Sequence, residues 1–319
     1  MRSEKICGAI FFLLLASGSA PSIAFSQLPY YQGKTIKVIR GGEPGGTGDM
    51  QARALIPFFR KYIPGEPAIV VENMPGAAGR KAANHIYSTA KPDGFTIGAV
   101  GAGLVAGPIL GLAGTQYDLD KLIYLGSTES GDPYVFVSGR MFAYLLGLKD
   151  PKMVVGYGGP ELDIALAKGE VDARANGADT ILQRNREAFE KGLFNVHASI
   201  TIPKGKFDPR LPKVPELDTF ARNEKERQLL NLFRTFLYPR WPYILPLGTP
   251  AEVVKILRAA IAKAFKDPEF HKEFKKLMAN DPTPLTGEEM ETAIRELPRD
   301  PEIVGLYKKM ADHGPLPPR

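Results

Sequence analysis

The residues of this chain able to do chemistry sit in glycine-bearing loops rather than in a catalytic constellation. Five glycines (Gly41, Gly42, Gly45, Gly46 and Gly48) fall between a β-branched run, Thr35–Ile39, and Asp49. Asp49 is a favoured helix N-cap residue, and Ala54, Leu55, Phe58, Phe59 and Tyr62 after it fall on one face of a helix. A strand, a glycine loop and a helix N-terminus together present bare backbone N–H groups to an anion. The helix dipole adds about half a positive charge there. Glycine lets such a loop take positive φ and lets a ligand approach the main chain closely. The chemistry this implies is anion capture.

The elements that must position this loop follow the same pattern twice more. Ala68–Val71 reads as a buried strand, Glu72–Gly79 as a second glycine loop, and Arg80–Thr89 as a helix. Phe95–Val100 is a third strand and runs into Gly101-Ala102-Gly103. Three such units in succession predict a parallel sheet with crossover helices. All three loops then leave the carboxyl ends of strands, where open α/β sheets bind ligands. Taken singly, each loop reads better as a plain tight turn; the three together favour a site. Gly101–Ala106 also matches G-x-G-x-x-A, with Glu129 downstream as a ribose partner, which alone would suggest a dinucleotide site. Its third place in the sheet and the Gly107-Pro108 pair argue against that reading.

Catalysis finds no support. The sequence holds no G-x-S-x-G elbow, and its single cysteine, Cys7, lies in the N-terminal segment. His85, His197, His271 and His313 are scattered without ligand spacing. No catalytic residue, metal or cofactor is therefore expected. A formal charge of +6, spread without a basic stripe, argues against nucleic acid and suits small anions. Residues 1–26 read as an export signal. Arg2 and Lys5 form the basic region, Ala9–Ala16 the apolar core, and small residues precede cleavage after Ala24 or Ser26. The remaining length exceeds one ordinary core, so two lobes are expected.

Several segments resemble the Bug family, the periplasmic substrate-binding proteins of tripartite tricarboxylate transporters. They are PGGTGDMQAR (Pro44–Arg53), VVENMPGAAGRKAAN (Val70–Asn84) and KPDGFTIGA (Lys91–Ala99). GYGGPELDIALAKGEVDAR (Gly156–Arg174) and LGTPAEVVKILRAAIAKAFKDPEF (Leu247–Phe270) extend the similarity over almost all the chain after residue 26. The resemblance implies an α/β, two-lobed type II periplasmic-binding fold with parallel-sheet lobes. Lobe 1 would be residues 27–115 and 218–319, and lobe 2 residues 116–217. It implies a monomeric, non-enzymatic periplasmic protein that closes on a small carboxylate and serves membrane transporter subunits. Carried over by motif, Gly45, Gly46, Thr47, Gly48 and Asp49 form the first carboxylate loop. Asn73 and Met74 lie at the second strand's end, and Ala102 near the third. Asp49 would repel a second carboxylate unless it caps its own helix.

The middle of the chain departs from the family pattern. Tyr134–Val137 reads as the crossing into lobe 2, but Ser138-Gly139-Arg140 passes straight into a helix-like stretch. A helix, a strand and a second small-residue loop expected between these points are missing, so lobe 2 is shortened. Two explanations stand. The second half of the clamp is lost, or Ser138-Gly139 and Arg140 rebuild it with Arg140 supplying charge. Met153–Tyr157 and Asn195–Ile202 read as strands, and Asn176, Gly177 and Asp179 open a helix, Asn176 and Asp179 as candidate contacts. Glu224–Leu237 is helical. Thr249-Pro250-Ala251-Glu252 and Thr286-x-x-Glu289 both read as capping boxes. The functional expectation is a carboxylate-binding transport protein; an exported enzyme in the same cleft and a relic with an impaired clamp are the alternatives.

Overall fold

The computed structural model describes residues 28–319 except 102, 130–134, 156, 158, 178–183, 203, 206, 208–212 and 279–280. The segment read as an export signal, Ala102 and Asp179 therefore lie outside the described residues.

The β-branched run forms β1 (Thr35–Arg40), and α1 (Thr47–Tyr62) follows the glycine loop. β2 (Ala68–Asn73), α2 (Arg80–Ser88), β3 (Thr96–Ala99) and α3 (Gly103–Ile109) complete the three units. β4 (Ile123–Ser127) is followed by α4 (Val135–Leu146), α5 (Gly159–Ala167) and the single turn α6 (Arg186–Glu190). The chain then runs through α7 (Glu224–Leu237), β5 (Pro242–Leu245), α8 (Ala251–Phe265) and α9 (Pro268–Met278). It ends with β6 (Leu285–Thr286), α10 (Gly287–Arg295) and α11 (Pro301–Ala311).

One six-stranded sheet has the order β2-β1-β3-β5-β4-β6. β1 pairs in parallel with β2 and β3, as the three units require, whereas β5 runs antiparallel to β3 and β4. The fold is α/β as expected, with a mixed rather than purely parallel sheet. β2 is an edge strand with no buried residue, which corrects its reading as a buried strand. An apolar run of four does not distinguish edge from centre.

Alternation along the strands divides the core between the two faces. Ile36, Val38, Ile97, Tyr243 and Leu245 pack with Leu55, Phe59, Leu257, Ile261 and Phe270 from α1, α8 and α9. Ile39, Tyr124 and Ile244 pack on the other side with α2, α3, α4, α7, α10 and α11. Met141, Tyr144 and Leu145 of α4 belong to this second core, beside Phe233 and Met310.

Residues 150–216 differ. The strands expected at Met153–Tyr157 and Asn195–Ile202 are not formed among the described residues, where only the isolated bridge Ser199–Glu216 occurs. A second sheet is absent from the described residues. Tyr134–Val137 is no crossing strand either: Val135 already begins α4. The helix periodicity that starts at Met141 extends back over Ser138-Gly139, because neither residue breaks a helix whose apolar face is buried.

Candidate functional site

β1 ends on Arg40, and the chain then turns through Gly41–Gly46 into α1. Gly45, Gly46 and Thr47 are exposed at the carboxyl ends of the parallel strands, whereas Gly48 and Asp49 are buried. Gly46 is the N-cap residue, so α1 starts three positions earlier than a cap at Asp49 would give. The amides of Asp49 and Met50 donate to the Gly46 carbonyl, while those of Thr47 and Gly48 have no acceptor among the described residues.

Asp49, in the first turn, reaches back to accept the Gly45 amide (2.9 Å), Arg53 Nε (2.9 Å) and Asn73 Nδ2 (3.3 Å). Burial pushes its pKa up, but the hydrogen bonds from Arg53, Gly45 and Asn73 outweigh that and hold it below the ordinary carboxylate value. Its charge is thus absorbed by its own loop and helix. Asn73 Nδ2 also donates to the Gly42 carbonyl (3.0 Å), tying the second strand's end to the first loop. The Met74 amide donates to the Arg40 carbonyl, and its side chain packs on the core.

The three glycine loops touch one another. A Cβ on Gly41 would lie 3.0 Å from Gly79 Cα, and one on Gly79 would lie 2.8 Å from the Gly101 nitrogen. Gly76, Ala77, Ala78 and Gly79 all have positive φ, at 136°, 49°, 53° and 90°. Two alanines in that region store strain of order 1 kcal/mol each or more. Here the glycines of the second and third loops serve backbone packing, which builds the crest beneath the exposed first loop. α3 runs through Gly107-Pro108 to Ile109, so that pair does not break the helix where the sequence suggested.

Two groups at this crest escaped sequence reasoning. Arg40 is only 4% exposed. Its Nη1 donates to the Ala99 carbonyl (2.9 Å), and its guanidinium lies 4.8 Å from the centre of the Trp241 ring. Burial pulls its pKa below the usual guanidinium value, opposed by nearby Tyr243 and Asp49, and it stays a cation. A Cβ on Gly48 would fall 1.7 Å from Arg40 Nη2 and 2.4 Å from Trp241 Cζ3, so only glycine fits there. Arg40 Nε and Trp241 Nε1 are buried with no hydrogen-bond partner among the described residues. The signal that could have found Arg40 is its place: a charge ending a buried run, directly before Gly-Gly.

The second group joins α1 to the end of β4. Gln51 Nε2 donates to Glu129 Oε2 and Thr128 Oγ1 donates to Gln51 Oε1, both at 2.8 Å. Ser127 Oγ donates to the Glu129 carbonyl and accepts the Trp241 amide. Arg240 Nη1 lies 3.5 Å from Glu129 Oε2. Glu129 therefore faces Gln51 and Arg240, and its role as a ribose partner has no support.

The remaining candidates are not brought to this crest by any hydrogen bond or ion pair among the described residues. Ser138 is buried inside α4, its Oγ without a partner among the described residues. Asn176 accepts the Gly177 amide. Arg140 supplies no charge to a cradle. It is 1% exposed, and its guanidinium donates to the carbonyls of Met310 (2.9 Å), Lys309 (3.2 Å) and Pro315 (3.5 Å). A buried cation at the carboxyl end of α11 satisfies carbonyls that the helix leaves open. The rebuilt-clamp explanation fails on that geometry. No group of three His, Cys, Asp or Glu residues suited to a metal occurs among the described residues.

No protein-family model matches the chain, and no curated protein matches it in sequence. Solved structures do match. A TctC solute-binding protein from Polaromonas, without ligand, has a TM-score of 0.65 at 17% identity, over 88% of this chain and 99% of that one. The periplasmic binding protein BugD gives 0.49 at 19% identity, with the same coverage. MatC from Rhodopseudomonas palustris with bound malate gives 0.46 at 19% identity, again over 88% and 99%. The last two fall too low to carry weight. The first shows that this chain shares the fold of a solute-binding protein.

Proposed function

We propose that the protein is a periplasmic solute-binding protein of the Bug and TctC type, which captures a small carboxylate for a membrane transporter. The observation that carries this reading is the exposed loop Gly45–Thr47 at the carboxyl ends of the parallel strands. It leads into a 16-residue helix whose Thr47 and Gly48 amides lack acceptors among the described residues. Such an end is suited to an oxyanion. The shared fold of a TctC solute-binding protein supports the same role. Residues 1–26 would direct export, and no helix among the described residues is long and apolar enough to cross a membrane. Thr47 and Gly48 supply main-chain donors, while the Gly45 and Gly46 amides, already bonded to Asp49 and to the Glu43 carbonyl, shape the loop. Asp49 and Asn73 hold the loop in shape rather than touch the ligand. No catalytic step is assigned.

A thermal-shift panel of mono-, di- and tricarboxylates tests this. Ligand at 100 times its Kd should stabilise the fold by about 2.7 kcal/mol, read as a saturable rise in Tm. A flat response across the panel would count against capture. It would favour the second reading, a protein with an impaired clamp, which the lack of a second sheet among the described residues supports.

A further inference from the structure

Deepening that reading, we propose that Arg40 is the charged anchor of the ligand carboxylate, reaching it from beneath the glycine loop, with Trp241 Nε1 as a second side-chain donor. Three observations converge. First, Arg40 is only 4% exposed, yet among the described residues only its Nη1 has a hydrogen-bond acceptor, the Ala99 carbonyl. No carboxylate lies within ion-pair distance of it among the described residues. Asp49 is taken by Arg53 at 2.9 Å, and Glu129 by Gln51 and Arg240. Among the described residues, the crest therefore holds one cation in excess of its internal pairs.

Second, the guanidinium is aimed into the loop. The positions that a Cβ would take on Gly42 and Gly48 lie 3.2 and 1.7 Å from Nη2. Gly48 is the second residue of α1, so Nη2 lies beside the amides of Thr47 and Gly48 that have no acceptor among the described residues. A cation beside the positive end of a helix is unfavourable by itself. An oxyanion between them reverses the sign of both interactions. Third, Trp241 Nε1, also buried and without a partner, belongs to the ring on which Arg40 stacks. Buried donors without acceptors cost free energy, and one carboxylate would satisfy several at once. The planar fork suits a carboxylate's two oxygens, which main-chain amides alone would not orient.

Trp241 is the sole tryptophan of the chain, so its fluorescence reports on this contact directly. Titration of the wild type, Arg40→Met and Arg40→Lys with acetate, malonate, succinate and citrate is the experiment, each at low and high salt. The expected result is a saturable change in the wild type that weakens with salt. Affinity should fall roughly 10- to 100-fold in Arg40→Met, from the loss of hydrogen bonds to a charged group, and by less in Arg40→Lys. Unchanged affinity and unchanged salt dependence in Arg40→Met would overturn the anchor while leaving carboxylate capture standing. No wild-type response to any of the four acids would overturn both. If neither variant folds, the Arg40 Nε–H resonance of the wild type decides. It moves on saturation with the tightest acid if Arg40 is the anchor and stays fixed if it is not.

Discussion

Residues 35–127 and residues 150–216 follow opposite courses from sequence to structure. In the first stretch, strands of four to six residues alternate with helices, and all the strands but the edge strand β2 bury apolar residues, as β1 does with Ile36 and Val38 below the sheet and Ile39 above it. In the second, only Ala165, Ala198 and Thr201 are buried among the described residues, while Val154, Val155 and Ile164 are 55%, 58% and 54% exposed. The difference teaches that local β-branched runs become strands only when a sheet is there to receive them. Val154-Val155 is as strand-like in composition as Val70-Val71. The latter finds β1 alongside it; the former pairs with no strand among the described residues.

The largest predicted contrast is in side-chain truncation. Phe233→Ala, inside the core between α7 and the sheet, should cost about 3–5 kcal/mol. Ile164→Ala, half in water, should stay within about 0.5 kcal/mol. Urea melts of the two variants measure this, and similar costs would break the comparison.

Next comes the glycine that holds the crest. Gly48→Ala drives a methyl into Arg40 and Trp241 and should cost about 1–3 kcal/mol. The control Gly46→Ala, whose Cβ would meet only the Glu43 carbonyl at 3.4 Å, should be far milder. Equal losses in the same thermal melts would remove the close approach as the reason for glycine at 48.

Residues 150–216 are tied to α7 electrostatically. Asp218 accepts Arg234 Nη1 (3.0 Å) and pairs with Lys204 (2.9 Å), and Arg234 Nε donates to the Thr201 carbonyl. Burial pushes the Asp218 pKa up, but Arg234 and Lys204 hold it down, at about 2. With an unfolded value near 3.9, the pair contributes about 2 kcal/mol that is complete above about pH 5 and lost as the pH falls toward 2. Acid titration of the wild type against Asp218→Asn should show that slope vanish in the variant. A persisting slope would place the acid sensitivity elsewhere.

The smallest effect separates two look-alike caps. Thr286 and Glu289 form the full capping box at α10, so Thr286→Ala should cost about 1 kcal/mol. Thr249 gives no cap to α8, whose N-cap residue is Pro250, and its hydroxyl donates to the Pro246 carbonyl instead. Thr249→Ala should therefore cost less, and equal losses in melting curves would contradict the assignment.

These cases mark what the sequence made legible. The first glycine loop, its flanking strand and helix, and Glu224–Leu237 with its apolar stripe were readable, because periodicity and caps act within a few residues. What escaped depends on contacts distant in the chain. The antiparallel direction of β5 is set across a crossover of more than a hundred residues from β4. Arg140 reads as a free charge until α11 lays two carbonyls against it from some 170 residues away. Arg40 reads as the end of a strand until Trp241 arrives over its face.

The central claim is that main-chain donors at the opening loop capture a carboxylate. A crystal structure of the wild-type protein grown with saturating succinate tests it most directly. The account predicts a carboxylate within hydrogen-bond distance of the Thr47 or Gly48 amide, on the side where Arg40 lies. Succinate bound elsewhere, with those amides given no new acceptor, would contradict it.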